Sequence, residues 1–185
     1  DTGIFGTQFF FEVLSENGLH DLAYEALNKR TMPSFGYGLA QGATTTWEQW
    51  DGKNSQNHPM FGGGLAWFYR KLAGMMADPA QPGYKHIIFK PQPVADLKFV
   101  TYSNNTALGE AGITWTNEND QFKADIEVPV GSTATVFIPS GDINSLKEDG
   151  LPIKKVKGVK LLSVEKDTIT LTVESGKYQF EVGRK

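Results

Sequence analysis

The chain changes its hydrophobic period near residue 80, and that switch constrains the fold more than any other feature. Up to Ala77 the apolar residues recur at helical spacing. Leu19, Leu22, Ala23, Ala26 and Leu27 fall at i, i+3, i+4, i+7 and i+8, which predicts an amphipathic helix of about three turns. Leu65, Phe68, Tyr69, Leu72, Met75 and Met76 repeat the stripe and predict another helix. An earlier segment, Ile4 to Leu14, carries Phe9, Phe10 and Phe11 and is apolar nearly all round. Such a helix needs neighbours on more than one side, and Asn17-Gly18 supplies its stop signal. These helices are too few to bury their own apolar surface, so partner helices outside this stretch are expected.

Asp78-Pro79-Ala80-Gln81-Pro82-Gly83 reads as a linker. After it the period is two. Phe122, Ala124, Ile126 and Val128 alternate with Gln121, Lys123, Asp125 and Glu127. The sets Ala134/Val136/Ile138, Ile169/Leu171/Val173 and Tyr178/Phe180/Val182 alternate likewise. With the runs 86–89, 97–102, 112–116 and 159–164 they make about eight strands. Asn119-Asp120, Gly131, Ser140-Gly141 and Ser175-Gly176 supply turns. One apolar face per strand argues an antiparallel β-sandwich. The expected class is therefore α+β in two domains, a helical part over residues 1–80 and an antiparallel β-sandwich over residues 84–185.

Composition excludes several functions. Apolar residues are 39% of the chain, so a packed core forms and global disorder does not. The net charge of −3 gives no basic patch for nucleic acid and no polybasic run for an anionic membrane. No apolar run of roughly 18 residues occurs, so no transmembrane helix is expected. There is no cysteine, hence no disulfide and no thiolate nucleophile, which fits any compartment, secreted, periplasmic or cytoplasmic. The three histidines, His20, His58 and His86, have no ligand spacing, so neither metal nor cofactor is expected. Asp1-Thr2-Gly3-Ile4-Phe5 lacks a start methionine and a signal peptide, and the chain reads as a piece of a longer protein.

Chemistry concentrates in Gly42-Ala43-Thr44-Thr45-Thr46-Trp47-Glu48-Gln49-Trp50-Asp51, with Ser55-Gln56-Asn57-His58 close behind. A carboxylate between two tryptophans suits a sugar site: indole faces cover the C–H faces of a pyranose, and carboxylate and imidazole bind hydroxyls or move protons. Glu48 is the candidate general acid or base. Its plain alternative is a solvated or ion-paired glutamate, and Asp51 is a candidate partner for it. Trp47 and Trp50 are candidate sugar platforms, against core packing. His58 is a candidate donor to a substrate hydroxyl, against a helix-start histidine, since Pro59 follows it. Gly62-Gly63-Gly64 lacks the lysine of a phosphate loop. Three glycines there cost about 1 kcal/mol each, and close packing against another element is the better reason for them.

These residues resemble a known family. Asp1-Thr2-Gly3-Ile4-Phe5-Gly6-Thr7, Val13-Leu14-Ser15-Glu16-Asn17-Gly18, the run Gly42 to Gly52, Ser55-Gln56-Asn57-His58-Pro59-Met60-Phe61-Gly62, Trp67-Phe68-Tyr69-Arg70-Lys71-Leu72-Ala73-Gly74 and Pro82-Gly83-Tyr84-Lys85-His86-Ile87 resemble, in that order, bacterial α-L-rhamnosidases of glycoside hydrolase family 78. The strand-rich remainder matches only in type. The resemblance implies that the helices are the last ones of an (α/α)6 barrel, followed by a β-sandwich. It implies hydrolysis of terminal α-L-rhamnosides with inversion, on a rhamnose-containing glycoside or polysaccharide. Glu48 matches the family's general base and His58 a sugar-binding residue. The general acid lies upstream of Asp1, so the rest of the catalytic barrel is an expected partner and this stretch alone is expected to be inactive. Gln49 stands where an arginine is common in the family.

Two other readings stay open from the residues. The sandwich could be a non-catalytic carbohydrate-binding or barrel-bracing module, with Tyr102 and Trp115 as its rings, although Trp115 shares its strand face with Ile113 and so favours the core. The helical part could belong to another (α/α)6-barrel glycosidase. The exposed apolar faces of the helices also point to self-association of the isolated stretch.

Overall fold

The computed structural model describes residues 2–183. They form two compact units, one ending at Phe68 and the other beginning at Tyr69.

In the first unit, α1 (Gly3–Glu16) and α2 (His20–Asn28) follow the apolar spacing. Asn17 caps α1, and Gly18 turns the chain with a φ of 75°. Thr7, Phe11 and Ser15 bury one face of α1, while Phe5, Phe9 and Val13 stand exposed on another. The helix is thus apolar on a side that nothing in this unit covers. A short α3 (Phe35–Ala40) has Ser34 as its N-cap, whose hydroxyl accepts from the Tyr37 N–H at 3.0 Å.

Pro59–Leu65 winds as a 3-10 segment rather than an α-helix. Its glycines let it lie against α1. A Cβ on Gly63 would sit 2.6 Å from the Gln8 Cβ, and one on Gly64 would sit 2.7 Å from the Phe11 ring. Close approach therefore explains the glycine run. Trp67 is buried, and its indole donates to the Ser15 hydroxyl at 2.6 Å.

The helix expected over 65–76 is not continuous. Phe68–Ala73 is π-helical, and β1 (Met75–Ala77) follows at once. Gly74 makes the break. Its φ is 78°, and a Cβ there would lie 2.3 Å from the Lys90 carbonyl carbon. The stripe through Met75 and Met76 fits a helix, but pairing with β2 (His86–Phe89) overrides it. The Asp78–Gly83 stretch is the connection between β1 and β2.

The second unit carries the sandwich. The remaining strands are β3 (Phe99–Thr106), β4 (Gly109–Glu118), β5 (Gln121–Val128), β6 (Thr133–Ile138), β7 (Lys147–Glu148), β8 (Leu151–Pro152), β9 (Val159–Val164), β10 (Ile169–Val173) and β11 (Gly176–Gly183). One sheet runs β1-β2-β6-β10-β9 and the other β3-β4-β5-β11-β7-β8. Every described pairing is antiparallel except β2 with β6, which is parallel, with Ile87 opposite Ala134. The period-2 sets form the core: Ile87, Phe89, Val136 and Leu171 from one sheet, and Ile113, Trp115, Phe122 and Phe180 from the other, all buried. Asn119 and Asp120 have φ of 52° and 56°, the doubly positive turn that matches strand twist, and they close the β4–β5 hairpin.

Candidate active site

The segment from Thr44 to His58 lies in the first unit and has no regular helix or strand. Two arms nevertheless pair across it. The Glu48 N–H donates to the Ser55 carbonyl at 2.8 Å, and the His58 N–H donates to the Thr46 carbonyl at 2.8 Å. Side chains reinforce the pairing. The Thr46 hydroxyl donates to the His58 carbonyl at 2.6 Å, and the Thr45 hydroxyl donates to the Gln56 carbonyl. The threonine run, poor helix material, is used here as side-chain-to-backbone links. The turn between the arms needs left-handed backbone at Gly52 (φ 77°) and Asn54 (φ 61°), residue types that tolerate it.

This loop brings Glu48 and His58 onto facing arms. Glu48 is half-buried. Its Oε2 accepts from the Ser55 N–H at 3.1 Å, and Oε1 has no hydrogen-bond partner among the described residues. Asp51 does not serve Glu48. It forms an ion pair with Lys53 at 3.0 Å, and the Lys53 side chain, then its N–H, hold the Asp51 carboxyl below the usual carboxylate range. His58 precedes the 3-10 segment, with Pro59 directly after it. Its main chain is bonded to Thr46, while its imidazole Nε2 is shielded from solvent without a hydrogen-bond partner. A shielded ring nitrogen in that state is costly unless something else satisfies it.

The two tryptophans differ. Trp50 stacks on Phe61, centroids 4.0 Å apart and planes 28° apart, and meets Phe35 edge-on at 5.2 Å. Trp47 lies over the turn: a Cβ on Gly52 would be 2.9 Å from its ring. Both rings line a cavity of about 450 Å³, together with Phe35, Leu39, Thr46 and Phe61. Gln49 also lines it; Glu48 does not.

Thr46, Gly52 and Ser55 stand in the quoted motifs, but sequence reasoning gave them no role: Thr46 holds the loop by its hydroxyl and carbonyl, Gly52 by left-handed backbone and Ser55 by its main chain. Their only signal was residue type, threonine, glycine and serine in a motif-bearing loop. Among the described residues no group of three or more His, Asp or Glu side chains could hold a metal ion, and no helix is long and apolar enough to cross a membrane.

Comparison with known proteins gives this geometry a context. The model of the bacterial alpha-L-rhamnosidase 6 hairpin glycosidase domain matches residues 1–72, and that of the bacterial alpha-L-rhamnosidase C-terminal domain matches residues 74–150. The chain belongs to the bacterial α-L-rhamnosidase family. An α-L-rhamnosidase of Formosa agariphila is 36% identical over 191 residues, covering 97% of this chain and 20% of that protein. The structure of an α-L-rhamnosidase from Dictyoglumus thermophilum superposes with a TM-score of 0.87 at 40% identity, covering 98% of this chain and 21% of that one. A Streptomyces avermitilis α-L-rhamnosidase complexed with L-rhamnose gives a TM-score of 0.87 at 27% identity, over 97% of this chain and 18% of that one. The chain therefore spans about a fifth of the length of the rhamnosidases it matches. The two matched domains stand in the order glycosidase domain, then C-terminal domain, so the chain corresponds to a C-terminal part of those proteins. The candidate loop falls in the glycosidase-domain match, and the sandwich begins the C-terminal one.

Proposed function

We propose that this chain is the C-terminal part of an inverting glycosidase that hydrolyses terminal α-L-rhamnosides, with Glu48 as general base. The carboxylate takes a proton from water as the water oxygen bonds to the anomeric carbon. The bond from that carbon to the leaving oxygen breaks on the opposite face, where a second carboxylic acid protonates the leaving group. In inverting enzymes the two carboxyls stand roughly 6.5–9.5 Å apart, which leaves room for the water. The acid comes from the part of the barrel outside this chain, so residues 1–185 alone do not turn over substrate.

His58 supplies a ring nitrogen to a sugar hydroxyl, and Trp47 and Trp50 offer indole surface to its C–H groups. One observation carries the reading. The rhamnosidase domains match in order along the chain, and the glutamate between the tryptophans is fixed through Oε2 with Oε1 open. The test is hydrolysis of a panel of nitrophenyl glycosides by the full-length protein, with the first-formed anomer followed by proton NMR. The α-L-rhamnoside should be the preferred substrate, and β-L-rhamnose should appear first. Preference for another sugar, or α-L-rhamnose as the first product, would overturn it.

A further inference from the structure

A cavity of about 640 Å³ opens at one end of the sandwich. Its position follows from topology. Because β2 and β6 run parallel, both deliver their C-terminal ends to the same place. The β9–β10 turn arrives there too, since Ile169 pairs with Ile138. Lys90, Phe137, Pro139, Asp142, Lys166 and Thr168 come from these three segments and line the space. Phe137 alternates outward from the buried Val136 and Ile138, and the Lys90 ammonium stands 5.2 Å from its ring centroid.

The rim is built by bonded backbone. The Ser140 hydroxyl donates to the Gly183 carbonyl at 2.9 Å and accepts from the Asp142 N–H at 3.2 Å. The Glu165 N–H donates to the Thr168 carbonyl at 2.8 Å. Gly141 lies so near the β9–β10 turn that a Cβ on it would be 2.1 Å from the Lys166 carbonyl oxygen. Such fastening reduces the ordering entropy a ligand must meet.

We propose that this cavity binds a short neutral saccharide. The walls carry two lysines, Lys90 and Lys166, and two aspartates, Asp142 and Asp167, so the charges cancel and neither an anion nor a cation is selected. The exposed Lys166 ammonium and Asp167 carboxylate stand within one space beside the rings of Pro91, Pro93 and Pro139, with Lys90 seated over Phe137 and the Asp142 carboxylate accepting the Asn144 N–H. A polyol with C–H faces satisfies donors, acceptors and apolar rings together, and the volume lies in the range of small-ligand sites. The proposal rests on the rhamnosidase reading only for the choice of probe.

The test is calorimetric titration of the full chain with rhamnotriose, cellotriose and maltotriose, repeated on the Lys166→Ala/Asp167→Ala variant and on Val130→Ser, an exposed change before β6, at the far end of that strand from the cavity. Lys166 and Asp167 are exposed, so the double variant keeps its melting temperature; Thr168→Val serves as a second variant. At least one trisaccharide should bind with a Kd of about 1 mM or better, weakened about tenfold or more in both cavity variants and unchanged in Val130→Ser. No binding of any of the three, binding intact in the cavity variants, or binding weakened as much in Val130→Ser would overturn the proposal. Binding at this cavity in a full-length protein that fails to cleave rhamnosides would sink the enzymatic reading and leave the saccharide site standing.

Discussion

Ser55 holds Glu48 twice: its carbonyl accepts the Glu48 N–H at 2.8 Å, and its own N–H donates to the Glu48 Oε2 at 3.1 Å. Backbone and carboxylate are thus oriented by the same peptide on the facing arm. A hydrogen bond to an ionised carboxylate is worth about 1.5–3 kcal/mol, enough to select one side-chain orientation. Both contacts use main-chain atoms of residue 55, so Ser55→Ala should leave Glu48 held and lose only the exposed bond from the Asn57 N–H to the Ser55 hydroxyl, whereas changes to the turn should be felt at Glu48.

Gly52→Ala is the sharpest change to that turn. Its φ of 77° disfavours a side chain by about 1–2 kcal/mol, and the new Cβ would press the Trp47 ring from 2.9 Å. The variant of the full-length protein should lose about that much stability in urea and should show a raised KM for a nitrophenyl rhamnoside. Unchanged stability and kinetics would mean that the turn does not hold Trp47 in place.

Ser15→Ala tests the core of the helical unit. It removes the acceptor of the Trp67 indole and leaves a buried donor unpaired. The expected loss is about 1–3 kcal/mol, read as a lower urea midpoint with an unchanged slope. A midpoint equal to that of the parent would show that the indole finds another partner.

The open stripe of α1 predicts behaviour of the isolated stretch. Phe5, Phe9 and Val13 are 74%, 60% and 54% exposed at successive i, i+4 positions, an apolar face that water disfavours. Light scattering should show association that grows with concentration and is abolished by Phe5→Ser/Phe9→Ser. A monomer at all concentrations would contradict it.

How much of this was legible in the chain depends on the range of the interactions. Phe122, Ala124 and Ile126 announce β5 because burial on one face writes itself into alternate residues. Asn119-Asp120 likewise announces its own turn. Met75 and Met76 read as the end of a helix and are strand instead: two methionines fit either period, and pairing with β2 decides for strand. The parallel pairing of β2 with β6 joins segments far apart in sequence and leaves no local mark. In α3, two glycines in six residues hide a helix that its Ser34 cap stabilises. At the site the motif around Glu48 was readable. The hold of Thr46 on His58, and of Ser55 on Glu48, was not, because each bond joins a side chain on one arm to a main-chain group on the other, and no residue pattern marks which main-chain group that is. The burial of Trp115, whose indole donates to the Leu72 carbonyl at 3.0 Å, removes it as a sugar platform, as its strand face with Ile113 foretold.

Tyr178 gives the sandwich an alkaline limit. Burial first, then the Glu174 and Glu148 carboxylates, raise its phenol above the ordinary value of 10.0. The folded chain holds this proton more tightly than the unfolded one. The associated stability is therefore complete below about pH 10 and is lost as pH rises through the raised folded value. Tyr178→Phe should be less stable at neutral pH by about 1 kcal/mol, having lost the bond to the Glu174 carbonyl, but its stability should fall less steeply above pH 10. Parallel pH profiles in urea unfolding would contradict this.

Glu48→Gln in the full-length enzyme tests the central assignment most directly, with kcat and KM measured on a nitrophenyl α-L-rhamnoside. The amide keeps an acceptor for the Ser55 N–H but cannot take a proton from water. The account predicts a fall in kcat of about 10²–10⁴-fold with KM little changed. Turnover within a few-fold of the parent would show that the base lies elsewhere.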